Sequence, residues 1–137
     1  MIQRIQSLWL LLAAATILLV LKFPIASATV GAEAKAFLAS SNLPLFLIAI
    51  LLGLSALVTI FLFKKRSAQK QLIWLSILVS VLFIILMYFP AQAFISANAG
   101  GFNIGAGLPL VYIILMILAY SGIRKDEKLI RSIDRLR

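Results

Sequence analysis

The chain has no cysteine and no histidine, and only four acidic residues among its 137. Without thiolates or imidazoles it cannot supply the usual axial ligands of a haem, a zinc site of the common kinds, an iron–sulfur cluster or a redox disulfide. That excludes quinone-linked thiol oxidoreductases and small haem-anchor subunits, and no cofactor or metal is expected. A nucleophilic site would need Ser or Thr activated by Lys or a carboxylate, and no such pair lies within the apolar runs. The expectation is a protein that is not an enzyme and has no nucleic-acid partner.

Charge of either sign is also scarce. Charged residues make up 12% of the chain against about a quarter in soluble domains. Hydrophobic residues make up 64%, and the mean hydropathy is +1.13. These values belong to an integral membrane protein. Four apolar runs fill more than half of the chain, at about residues 5–23, 43–63, 72–89 and 104–123. A helix rising 1.5 Å per residue needs about 20 apolar residues to cross a 30 Å hydrocarbon core. The runs therefore read as four transmembrane helices in a single all-α domain, followed by a tail at 124–137. The fourth run reaches spanning length only by borrowing from the glycine-rich stretch before Leu108.

Lys and Arg residues collect on one side of this topology. Arg4 precedes the first span, Lys64, Lys65, Arg66 and Lys70 join the second to the third, and Arg124, Lys125, Lys128, Arg131, Arg135 and Arg137 follow the fourth. Only Lys22 and Lys35 fall on the other side. Positively charged short loops stay cytoplasmic, so both termini are expected there. Trp9, Trp74 and Tyr120 then lie near the cytoplasmic interface, and Tyr88 and Tyr112 near the outer one, where aromatic residues favour the headgroup level.

The N-terminal segment has a second reading. Arg4, the apolar stretch 8–21 and Ala26-Ser27-Ala28 resemble a cleavable signal peptide. An internal repeat argues against cleavage. Trp9 is followed by Pro24 and Pro44, and Trp74 by Pro90 and Pro109, at nearly matching spacings. The pattern predicts two tandem helical hairpins that both enter from the cytoplasm, a parallel repeat and not the inverted kind of many transporters. Pro24 and Pro90 would end the outward spans, and Pro44 and Pro109 would sit in the first turn of the return spans. Between the spans of the first hairpin, 32–39 is Ala-rich and predicts a short surface helix. The corresponding stretch of the second hairpin, 90–107, is neutral and glycine-rich, and predicts a flexible connector suited to packing on a partner.

No Asp, Glu, Lys or Arg lies in the interior of any run, which weakens a coupled-transporter reading. Small residues do recur: Ala49, Gly53 and Ala56 form a helix-packing face on the second span. Ser55 and Thr59 lie beside it, and Ser76 and Ser80 repeat their spacing on the third span. In the tail, Leu129, Ile133 and Leu136 recur at i, i+4 and i+7 among charged residues. The pattern predicts an amphipathic cytoplasmic helix, with Glu127 and Arg131 as an i, i+4 pair. Asp126, Glu127 and Asp134 offset its bases, more acid than a helix needs merely to bind anionic lipid.

The start Met1-Ile2-Gln3-Arg4-Ile5-Gln6, the Leu62-Phe63-Lys64 segment with Arg66 and Gln69, and the ending from Arg124 to Arg137 together resemble an uncharacterised family of small four-span bacterial inner-membrane proteins. The resemblance implies that topology and location across essentially the whole chain, and it brings no activity with it. Two functions are consistent with these features. One is a non-enzymatic accessory or scaffold subunit of a larger membrane assembly. It would dock to a membrane-protein partner, a second copy or anionic headgroups through Arg4, Lys64, Lys65, Arg66, Lys70, Asp126, Glu127, Leu129, Arg131, Ile133, Asp134, Arg135 and Leu136. The other is a small oligomeric transporter or channel with a neutral pore lined by Ser55, Thr59, Ser76 and Ser80.

Overall fold

Leu, Ala and Ile dominate the long apolar runs, and with their backbone groups satisfied internally these runs form helices. A computed structural model describes residues 2–30 and 33–134. Four helices dominate it: α1 (Ile2–Leu19), α2 (Leu43–Phe61), α3 (Arg66–Asn98) and α4 (Leu108–Asp134). α1 packs most extensively on α4 and then on α2, while α3 packs on α2 and α4. The four helices thus close a ring around one core.

Three helical segments are long and apolar enough to cross a membrane: α2, α3 and residues 104–130, which include most of α4. The apolar part of α1, Ile5–Leu19, is shorter. The first run was expected to be helical to residue 23. Instead the chain leaves the helix at Leu19 through a tight turn, with the amides of Lys22 and Phe23 both bonded to the Leu19 carbonyl at 3.0 Å.

Each helix turns one stripe inward. The stripes are Leu10, Ala13, Ala14 and Ile17 on α1; Leu45, Ala49, Leu52 and Ala56 on α2; Ile73, Ser76, Ser80, Phe83 and Met87 on α3; and Tyr112, Met116, Ala119 and Ile123 on α4. Ala49, Gly53 and Ala56 all lie inside the bundle. A Cβ on Gly53 would stand 3.0 Å from the Leu18 side chain, so this face packs within the chain, against α1. Small residues let the helix backbones approach closely where lipid supplies no hydrophobic drive.

The prolines divide. Pro44 lies in the first turn of α2 and Pro109 is the second residue of α4, where a missing N–H costs nothing. Pro90 does not end the third span as expected: α3 runs through it to Asn98. Proline inside a helix forfeits one backbone bond and costs about 3 kcal/mol, which the packing beyond it offsets. Ala91 is fully buried and the Phe94 ring meets Phe37 at 6.0 Å. At 33 residues α3 is about 50 Å long, well beyond a 30 Å hydrocarbon core.

The fold is not purely helical. Ala26–Val30 (β1) pairs antiparallel with Glu33–Phe37 (β2) and with Gly101–Phe102 (β3), giving a three-stranded sheet in the order β2-β1-β3. The short helix expected at 32–39 is therefore a strand across Glu33–Phe37. Alanine's helix preference is worth tenths of a kcal/mol per residue, and the ladder with β1 outweighs it by pairing the amides of β2 that face β1. The glycine-rich connector packs on this sheet as its third strand. A Cβ on Gly100 would lie 2.5 Å from the Ser27 carbonyl, and one on Gly105 2.5 Å from that of Pro24. Glycine at these two positions lets the two interhelical connections touch backbone to backbone.

The tail is not a separate surface helix: α4 continues unbroken to Asp134. No proline interrupts it, and Gly122 stays helical where a Cβ would stand 3.0 Å from Gln6 Cγ. Tyr112, expected at an interface, is fully buried and donates to the Leu52 carbonyl at 3.3 Å.

Candidate functional site at the charged end

The inward stripes end in polar residues at the end of the bundle opposite the sheet. α1 ends there in Gln6, α2 in Thr59, α3 in Gln69 and α4 in Asp126, all buried. Gln69 Nε2 donates to the Thr59 carbonyl at 3.1 Å, satisfying one of the carbonyls left unpaired in the last turn of α2. Gln6 Nε2 donates to Asp126 Oδ2 at 2.5 Å and ties the two ends of the chain together. Neighbouring Glu127 accepts from Lys70 Nζ at 2.7 Å, fastening α4 to α3, with both side chains about a quarter exposed.

Between these groups lies a cavity of about 320 Å³. Its polar wall is Gln6, Ser7, Arg66, Gln69 and Asp126; its apolar wall is Leu10, Ile60, Phe63 and Ile123. On α3 and α4, within two turns in sequence of the lining residues Gln69 and Ile123, Trp74 meets Tyr120 edge to face at 5.9 Å, and the Arg124 guanidinium lies 5.9 Å over the Tyr120 ring.

Where their side chains are described, the residues expected to dock a partner separate into two groups. Arg66, Asp126 and the Lys70–Glu127 pair surround or flank the cavity. Lys65 and Leu129 are exposed. Arg135 and Leu136, and the side chains of Arg4, Lys64, Arg131, Ile133 and Asp134, lie outside the described residues. The expected Glu127–Arg131 pair therefore rests partly on an undescribed side chain, and Lys70 on another helix is the partner seen for Glu127.

Gln6 and Gln69 enter the sequence reading only through the family resemblance and not as site residues, and Asp126 enters it as a charge of the tail. The signal was present in the helical period: Tyr112, Met116, Ala119, Ile123 and Asp126 recur at i, i+4, i+7, i+11 and i+14. Asp126 thus belongs to the core stripe.

The hydroxyls considered as pore lining meet one another inside a single chain. Ser55 Oγ and Ser76 Oγ are 2.9 Å apart, and Thr59 Oγ1 donates to the Ser55 carbonyl at 2.6 Å. Ser80 Oγ is buried with no partner among the described residues.

The family model for a domain of unknown function, DUF4293, matches residues 2–136. The chain belongs to the DUF4293 family. No curated protein and no solved structure matches it. The family carries no assigned activity, so any role for this DUF4293 chain has to be argued from its own geometry.

Proposed function

We propose that this is a non-enzymatic integral protein of the bacterial inner membrane and an accessory or scaffold subunit of a larger membrane assembly. It crosses the membrane four times as two tandem hairpins. Both termini and the α2–α3 connection are cytoplasmic, as the distribution of Lys and Arg favours.

The observation that carries this reading is the surface left over at the charged end. α4 runs on past its last packed residues, and there Leu129 is 51% and Ile130 45% exposed. Arg124, Lys125 and Lys128 are exposed beside them. Asp126 and Glu127 are engaged inside the fold, so two of the tail's acids are explained by the bundle itself. What α4 presents outward is basic and apolar, a surface suited to an acidic partner face or to anionic headgroups. The channel alternative draws no support from this arrangement, because Ser55, Thr59 and Ser76 are hydrogen-bonded in one chain's interior and Ser80 is buried there.

Extraction of a tagged copy from native membranes in mild detergent, with co-purifying proteins identified and quantified by mass spectrometry, tests the reading. A partner at fixed ratio, lost on Leu129→Ser with Ile130→Ser, is the expected result. Recovery of the protein alone or only with itself would sink it.

A further inference from the structure

We propose that the charged-end cavity binds the headgroup of an aminophospholipid, a group carrying a primary ammonium and a phosphate on one molecule. This goes beyond the accessory-subunit reading and does not rest on it. It requires only that the charged end lies at a membrane surface.

Asp126 is the decisive group. The residue is only 9% exposed, yet its carboxylate accepts one hydrogen bond among the described residues, at Oδ2 from Gln6. A carboxylate offers about four lone-pair sites, and a buried charge left unpaired is costly. Ser80 Oγ is the one fully enclosed side-chain polar atom without a partner among the described residues, so Asp126 Oδ1 is open to the cavity it lines. Lys70, one candidate counter-ion, is held by Glu127. An ammonium entering the cavity would bring positive charge and three N–H donors to a carboxylate that lacks them.

A second charge stands apart in the same wall. Arg66 is half-buried and makes no ion pair among the described residues, with Asp126 or with any other acid. Its planar fork of donors matches phosphate oxygens. One cavity therefore offers a carboxylate and a guanidinium that do not satisfy each other. The complementary ligand is a zwitterion whose two charges are joined by a short linker.

Location decides which zwitterion. Trp74, Tyr120 and Arg124 are side chains that favour the headgroup layer, and Tyr120 precedes Asp126 by less than two helical turns. A cavity of about 320 Å³ is at the small end for ligand sites, which fits a headgroup and not a whole lipid. Leu10, Ile60 and Ile123 supply the apolar wall on which its glycerol and first methylenes would lie.

The test titrates the delipidated full-length protein in detergent with palmitoyl-oleoyl phosphatidylethanolamine, phosphatidylcholine or phosphatidylglycerol, each read by native mass spectrometry. One phosphatidylethanolamine should bind per chain, about tenfold more tightly than either other lipid, the size expected for one charge-assisted hydrogen bond. Asp126→Asn should lower phosphatidylethanolamine binding about tenfold and abolish the preference over phosphatidylcholine and phosphatidylglycerol. Arg66→Gln should weaken all three lipids alike, because all share the phosphate. Equal affinity for the three lipids in the unmodified protein would overturn the proposal without reliance on any variant. Water-soluble phosphoethanolamine binding as tightly as the lipid would overturn the membrane as the ligand's source.

Discussion

The two ends of the bundle are closed in different ways. At the sheet end the seal is backbone: β1 lies between β2 and β3, and Gly100 and Gly105 bring the second connection against the carbonyls of Ser27 and Pro24. At the charged end the seal is made by side chains: Gln6 on Asp126, Gln69 on the Thr59 carbonyl and Lys70 on Glu127. Backbone closure leaves little room for adjustment, whereas long side chains can part to admit a ligand. The cavity with convergent charged groups lies at the second end.

The largest effect should come from breaking the backbone seal. Gly105→Val places a branched side chain where even a Cβ would stand 2.5 Å from the Pro24 carbonyl, and should cost about 3 kcal/mol, the upper range for overpacking. Thermal unfolding in detergent would show it as a clear drop in Tm. Next comes Gln6→Leu, which removes the donor seen on Asp126 and should cost about 2 kcal/mol, as for a buried acceptor left unsatisfied. The same unfolding assay measures it.

Lys70→Met should matter less. Partly exposed ion pairs are worth at most about 1 kcal/mol, and the loss should shrink further as salt is raised, a trend that unfolding at two ionic strengths would reveal. The smallest effect is expected for Gly122→Ala. The obstacle there is the flexible Gln6 side chain at 3.0 Å, and the roughly 1 kcal/mol gained by replacing a helical glycine should leave Tm nearly unchanged. A large loss at Gly122 with a small one at Gly105 would reverse the contrast between the two ends.

What was legible in the sequence follows the same division. Apolar runs long enough for helices, and the small face of Ala49, Gly53 and Ala56, are local patterns that composition and period reveal. The sheet is not local: β1 and β3 lie some 70 residues apart, and nothing in an Ala-rich or Gly-rich connector names its pairing partner. Pro90 misled for a related reason. Its local rule favours a helix end, while the packing of Ala91 and Phe94 beyond it is tertiary. Asp126 continues the buried stripe of α4, a period visible in the sequence, although its charge groups it with the exposed bases around it. Gln6 and Gln69 acquire meaning only once the ends of α1, α3 and α4 are brought together.

For the sheet end and the charged end to lie on opposite sides of a membrane, α1, the shortest of the four helices, has to cross it. The absence of native cysteine makes a direct test clean. Single cysteines would be placed at Lys22 and Thr29 at the sheet end, and at Lys65 and Lys128 at the charged end. Each would be labelled with a membrane-impermeant maleimide in intact cells and in inside-out vesicles. Labelling of positions 22 and 29 only from outside, and of 65 and 128 only from the cytoplasmic face, is the predicted result. Labelling of all four positions from one face would contradict it.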